Sequence, residues 1–193
     1  QVQHNVNVQG GLEFKLYKGL KVMVDAGLHY YNNLASELTN KYYGDAAGIG
    51  RILQQSTNLL AFSAKELLEY NTTIGDHNIR AMVGHENYYY RSGYLYGYKA
   101  YLADGESLNL SNAIQMNEIA GNEDGFALDS YLATLSYIYN EKYMLTANYR
   151  ADGSSRFVGK NRWGYFPSAA AAWNIAQESW LKDSEAVSAL KLR

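Results

Sequence analysis

The stretch YMLTANYRADGSSRFVGKNRWGYFPSAAAAWNI, residues 143–175, decides how the chain folds. Its first part alternates Tyr143, Leu145, Ala147 and Tyr149 against Met144, Thr146, Asn148 and Arg150. Its last part alternates Tyr165, Pro167, Ala169, Ala171, Trp173 and Ile175 against Ser168, Ala170, Ala172 and Asn174. A period of two with one apolar set predicts two β-strands, each with one apolar and one polar face. Between them lies a polar hairpin carrying Asp152, Ser154, Ser155, Arg156, Lys160, Asn161 and Arg162.

The same period extends outward in both directions. It predicts strands over residues 2–16, 20–30, 65–74, 79–90 and 128–139, and the start of an eighth at Leu190. Residues 177–188 read as one or two helical turns with Trp180, Leu181 and Val187 as contacts. The expected fold is all-β, an antiparallel meander. Its strands are about 10 to 13 residues long, above the usual 5 to 6 and close to the 9 to 11 that cross a membrane at a tilt.

Connections alternate in length. Lys18-Gly19, Gly75-Asp76 and Asn140-Glu141 are short, whereas residues 31–64 and 92–126 read as long loops and the hairpin after Arg150 is intermediate. Outer-membrane barrels alternate periplasmic turns with extracellular loops in this way, and a soluble sandwich has no need to.

Composition agrees. The 193 residues include 19 Tyr against 5 Phe and 3 Trp, with 17 Gly and one Pro. Tyrosine joins an apolar ring to a polar tip and suits the boundary between an apolar zone and water. Tyr30, Tyr89, Tyr149 and Tyr165 fall near long-loop ends, and Tyr137, Tyr139 and Tyr143 flank a short turn, which predicts two girdles. Composition alone fits a Tyr-rich soluble β protein equally well.

A net charge of −2 without like-charge blocks gives no general attraction to nucleic acid. The absence of cysteine excludes a disulfide framework. The longest apolar run, from Ala169 to Trp173, is far short of a membrane helix, and that test is blind to barrels. The first residues carry neither the basic start nor the apolar stretch of a signal peptide, so an exported protein is expected to begin upstream.

The motif Y-x-L-T-A-N-Y-R-A-D-G-S-S-R-F, followed by N-R-W-G-Y-F-P-S and a small-residue run ending in W-N-I, resembles the SusC/RagA family of TonB-linked outer-membrane transporters of Bacteroidetes. E-Y-N-T-T-I-G-D-H-N-I-R-A-M-V-G-H-E and E-S-W-L-K-D before L-K-L-R are similar to the family's hairpin and its entry to the next strand. The resemblance spans about residues 67–193, and more loosely the first two strands. It implies that residues 1–193 are an internal part of a longer chain, supplying seven to eight strands of a transmembrane barrel of about 22 strands with a plugged lumen. It also implies a place in the outer membrane among lipid, a SusD-like lipoprotein partner, glycan or peptide cargo, and energy from TonB through a segment outside this chain. One departure stands out: Val158 follows Arg-Phe where the family usually has Gly, and Val tolerates positive φ poorly.

No catalytic set is visible, so no enzymatic activity and no cofactor are expected. His4, His29, His77 and His85 are scattered without metal-ligand spacing. Glu123 and Asp124, in G-N-E-D-G, lack the spacing of a calcium loop and read as solvated loop carboxylates. Candidate contacts to cargo or partner are Tyr42, Tyr43, Tyr94, Tyr96, Tyr98 and Tyr101 on the two long loops. Arg80, Glu86, Asn148 and Arg150 are the candidate lumen-facing set, lining the route or holding the plug.

The hairpin has two readings. Arg156, Arg162 and Trp163 could meet cargo or the lipoprotein. The favoured reading is that Asp152, Ser154 and Arg156 satisfy loop backbone while Trp163 and Tyr165 anchor at the interface. The rival for the whole chain is a soluble or surface-displayed β-sheet binding module, in which the same apolar residues form a core against a second sheet.

Overall fold

The computed structural model describes residues 1–103, 106–181, 187 and 189–193. Eight strands follow one another in chain order in a single sheet, the meander expected from alternation and short turns. They are β1 (Val2–Tyr17), β2 (Leu20–Thr39), β3 (Arg51–Ile74), β4 (His77–Leu102), β5 (Ala113–Tyr139), β6 (Tyr143–Ser154), β7 (Trp163–Asn174) and β8 (Lys191–Leu192).

Four strands are much longer than the pattern predicts: β2 has 20 residues, β3 24, β4 26 and β5 27. The expected long loops are therefore mostly strand; among the described residues the connections are 40–50, 103 and 106–112. At roughly 3.3 Å per residue, a 27-residue strand reaches about 90 Å. The alternation fades in these extensions because neither face must be purely apolar, so Asn, Ser, Thr and Gly occupy both. Backbone pairing then sets the structure where side-chain patterning no longer does.

The chain divides into two compact units. The second comprises residues 9–26, 63–88 and 127–193. Its backbone is ruled by register: β6 lies between β5 and β7, with Ala147 opposite Leu135 on one side and Ala169 on the other. Opposed residues share a face, so the rows Tyr139–Tyr143–Trp173, Tyr137–Leu145–Ala171, Leu135–Ala147–Ala169, Ala133–Tyr149–Pro167 and Tyr131–Ala151–Tyr165 build one continuous apolar wall. The intervening rows carry Thr134, Ser136, Thr146, Asn148 and Arg150 on the other side.

Tight turns close the opposite end of these hairpins. Asn140 and Glu141 both have positive φ, 50° and 57°, the conformation of a two-residue turn that usually takes Asn-Gly. Glu141→Gly should therefore stabilise the full-length protein by about 1 kcal/mol, read as a raised urea midpoint in lipid. An unchanged or lowered midpoint would show that the turn is unstrained.

After β7 a 3-10 turn, Ile175–Gln177, leads into residues 178–181, which form a bend and a turn where the helix was expected to begin. Residues 182–186 and 188, where that helix was expected to continue, lie outside the described residues.

The first unit comprises residues 1–8, 27–62 and 89–126. Its buried core is Ile52, Leu102 and Ala113, with Leu38 and Leu110 packed against it. The connection after β4 folds over this side: Leu110 covers Gly97, where a Cβ would stand 2.8 Å from it, and Gln54 donates to the Leu108 carbonyl at 2.7 Å. Tyr101, at φ 61°, precedes Leu102, which points into the core.

Candidate functional site

Within the second unit the two faces of the wall have opposite chemistry. Tyr131, Leu135, Leu145, Tyr149 and Tyr165 are each about half exposed, a contiguous apolar surface far beyond what a soluble monomer displays. The described strands form one sheet, so no second sheet covers them as the soluble-module reading requires.

Aromatic pairs mark both ends of this wall. Tyr139, Tyr143 and Trp173 stack in series at 6.4 and 6.3 Å. At the other end Tyr149 stacks on Tyr165 at 6.4 Å, and Tyr131 meets Trp163 at 5.9 Å. From the Tyr139 row to the Tyr131 row the strand advances about 27 Å, or about 20 Å in height at the usual tilt, close to the apolar band of an outer-membrane barrel.

The other face is charged and cross-linked. Arg150 bonds Glu86 at 2.9 Å and Asp152 at 2.7 Å, and Lys65 approaches Glu86 at 3.8 Å. A second group centres on Glu69, whose side chain is only 3% exposed; Arg80 reaches it at 2.6 Å and Lys21 at 3.5 Å. Asn148 donates to Ser168 at 3.3 Å. Arg80, Glu86, Asn148 and Arg150 thus all take part in polar bonds within this unit. A cavity of about 470 Å³ opens beside them, lined by Gln9, Asp25, Lys65, Glu86, Ser130 and Arg150 among others.

The polar hairpin is built to hold itself. Ser155 N–H donates to the Ala127 carbonyl at 2.9 Å, and Ser155 Oγ accepts from Ala127 N–H at 2.8 Å. Ser154 Oγ accepts from the Arg156 N–H at 3.3 Å, whereas Asp152 bonds the Arg150 side chain rather than loop backbone. Trp163 lies over Gly153, where any Cβ would stand 3.0 Å from the ring, so the Asp-Gly of the motif makes room for the indole. The strain expected at Val158 is absent: its backbone is extended at φ −111°, and Gly159 carries the positive φ of 61°. Arg156 and Arg162 remain on the exposed surface of the loop.

Two clusters were not legible in the sequence. His85 sits between Asp129 at 2.5 Å and Glu66 at 2.9 Å, its ring 5.0 Å from Tyr131. Among the described residues no group of His, Asp or Glu has metal-binding geometry. Glu178, beyond the strand ends, accepts from the Tyr143 hydroxyl at 2.7 Å, from Trp173 Nε1 at 3.0 Å and from Lys142 at 3.0 Å. The phenol bond first, then those of Lys142 and Trp173, hold this carboxyl at about 2, against an ordinary 4.5. The motif W-N-I-A-Q-E carries the signal, a carboxylate five residues after a Trp, but only the folded turn brings Tyr143 to it.

A lowered carboxylate stabilises the fold fully above its unfolded value and loses that effect as pH falls through its folded value. Trp173 fluorescence of the full-length protein should therefore hold from neutral pH to about 3 and change near 2. A transition near 4.5 would show that the three bonds do not form together.

In the first unit, Tyr94, Tyr96 and Tyr98 lie on strand β4 rather than on a loop, as does Tyr101. Alternation puts Tyr96 and Tyr98 on the side opposite Gly97 and its covering loop. There a cavity of about 300 Å³ is lined by Glu37, Thr39, Arg51, Leu53, Tyr96 and Tyr98. Tyr94 stacks on Tyr96 at 6.5 Å. Tyr42 and Tyr43 do belong to a connection: Asn40 Oδ1 accepts from both backbone N–H groups, and the two residues are 70% and 73% exposed. Glu123 is likewise on a strand, paired with Arg91 at 2.7 Å, and not a free loop carboxylate.

No family model matches the chain. The TonB-dependent receptor SusC of Bacteroides thetaiotaomicron is 31% identical over 97% of this chain and 18% of its own length. TonB-dependent receptor P39 of Formosa agariphila is 29% identical over 94% of the chain and 18% of its own length. The structure of the RagAB peptide transporter superposes with a TM-score of 0.86 at 21% identity, over 94% of this chain and 21% of the compared one. The chain belongs to the SusC/RagA type of TonB-dependent receptor.

As a SusC/RagA-type segment it is an antiparallel part of an outer-membrane barrel, and its relatives are receptors and transporters rather than enzymes. It spans about one fifth of the length of the relatives it matches. In its second unit one apolar and one charged face run along the same strands, as the wall of such a barrel requires.

Proposed function

We propose that this chain is part of the wall of a nutrient importer, with Leu135, Leu145, Ala147 and Ala169 against lipid and Arg80, Glu86, Asn148 and Arg150 toward the lumen. The observation that carries the reading is the two-faced wall: rows of exposed aromatic and small apolar side chains on one side, and cross-strand ion pairs on the other. The importer takes oligomeric cargo, glycan or peptide, together with a SusD-like lipoprotein. A segment outside this chain contacts TonB, and the charged face holds the plug through exchangeable polar bonds.

The soluble-module reading would need a partner sheet for the apolar rows. In cells carrying the full-length receptor, uptake of fluorescent oligosaccharides or oligopeptides should disappear when TonB or the adjacent lipoprotein is removed. Uptake that persists without either would sink this reading.

A further inference from the structure

We infer that the hairpin between β6 and β7, through Lys160 and Arg162, is a docking site for the phosphate-bearing headgroup of an outer-leaflet glycolipid. The inference rests on the reading of this wall as lipid-facing and names the lipid chemistry met at its outer edge.

Height carries the first part. Short turns mark the periplasmic end of such a barrel, so the turn at Asn140 and Glu141 puts the hairpin at the outer end. Asp129, Gly153 and Trp163 form the next row on the lipid side beyond Tyr131, Ala151 and Tyr165. That step of two residues is about 5 Å in height at the usual tilt, and headgroups occupy about 5 to 7 Å beyond the apolar core. Ser155 then fixes the loop one row further out, bonding Ala127 in both directions at 2.9 and 2.8 Å. β6 pairs with β5 only as far as Ser154 opposite Leu128, while β5 runs on to Ala113. The hairpin therefore ends among headgroups. This placement holds however the barrel is completed, because further strands continue the wall sideways and a plug fills its other face.

Charge carries the second part. Residues 153–177 contain three cations, Arg156, Lys160 and Arg162, and no carboxylate. The carboxylates that adjoin the hairpin in the register are engaged elsewhere: Asp152 bonds Arg150, and Asp129 holds His85 together with Glu66. Phe157 and Val158 stand between the cations, an apolar pair flanked by long basic side chains. Such a segment rests its apolar atoms on acyl chains and extends its charges to the headgroups. A phosphate offers several acceptor oxygens; the Arg162 guanidinium takes two of them as a fork, and Lys160 adds a point charge. A neutral sugar draws no such charge, which makes the hairpin a poor contact for neutral glycan cargo.

The test uses the full-length receptor with its lipoprotein in mild detergent. It is titrated with bisphosphorylated lipid A and with the same lipid stripped of its phosphates, bound lipid being counted by native mass spectrometry. The phosphorylated form should bind about tenfold more tightly, the scale expected of two cations near an anionic headgroup. Lys160→Gln with Arg162→Gln should remove that preference, and Lys160→Arg with Arg162→Lys should keep it. Heat-modifiable mobility confirms folding of each variant. Excess inorganic phosphate should leave the lipid in place; displacement would make this a free-anion site and overturn the lipid assignment. Equal binding of the two lipids by the wild type, or a preference that survives the glutamine pair, overturns the site. Loss of the lipoprotein from the glutamine pair with the lipid preference intact marks a protein contact and overturns it equally. Loss of the preference in both pairs assigns the two residues to hairpin structure and overturns recognition by charge. All these outcomes leave the lipid-facing wall standing, whereas normal assembly of Ala147→Arg overturns the wall and the site with it.

Discussion

Arginine at Ala147 is expected to abolish or severely reduce assembly of the full-length receptor in the outer membrane. Ala147 sits in the middle row of the wall, between Leu135 and Ala169. A charge at that depth on the lipid side costs roughly 2 to 4 kcal/mol. The contrast lies one residue away: Asn148 pairs with Ser168 on the polar face, and Asn148→Arg should assemble normally, because a shift of one position reverses the face. Heat-modifiable mobility of membrane fractions reads both. Equal behaviour of the two variants would disprove the assignment of faces.

The second large effect is expected at Glu69. Its carboxylate is almost fully enclosed and accepts from Arg80 and Asn71, each at 2.6 Å, with Lys21 at 3.5 Å. Removing one member of an enclosed ion pair leaves the others uncompensated, and Glu69→Ala should cost about 3 kcal/mol, the lower end of the range because Arg80 can turn to water. Adding Arg80→Ala should recover part of that loss, since the orphaned cation is removed with its partner. Urea midpoints of the full-length protein in lipid separate the cases. A Glu69→Ala protein with an unchanged midpoint would show that the cluster is only a surface pairing.

How much of this was legible in the sequence follows from where side chains had to sort by polarity. Residues 143–150 and 165–175 must place one apolar and one polar set on opposite faces, so their period of two and their register could be read directly. The extensions of β2 to β5 have no such obligation, and Gly, Ser and Tyr there looked like loop although the backbone is paired. Tyr94, Tyr96 and Tyr98 were visible as candidates, but that they lie on a strand, with Leu110 covering its other side over Gly97, was hidden. The Glu178 cluster stayed hidden for a different reason: its three donors come from residues 5 to 36 positions away, and no local pattern announces such a meeting. Asp152 shows the limit of turn chemistry as a guide, since a nearby guanidinium competed successfully for the carboxylate.

Strand order that equals chain order has an evolutionary consequence. A 27-residue strand stands beside one of 12 in the same sheet, and they share a register fixed at the turn end, where Tyr139 faces Tyr143. Insertions at the far tips of the hairpins therefore leave every pairing below them untouched. Such a scaffold can lengthen or vary one rim while inheriting the rest unchanged.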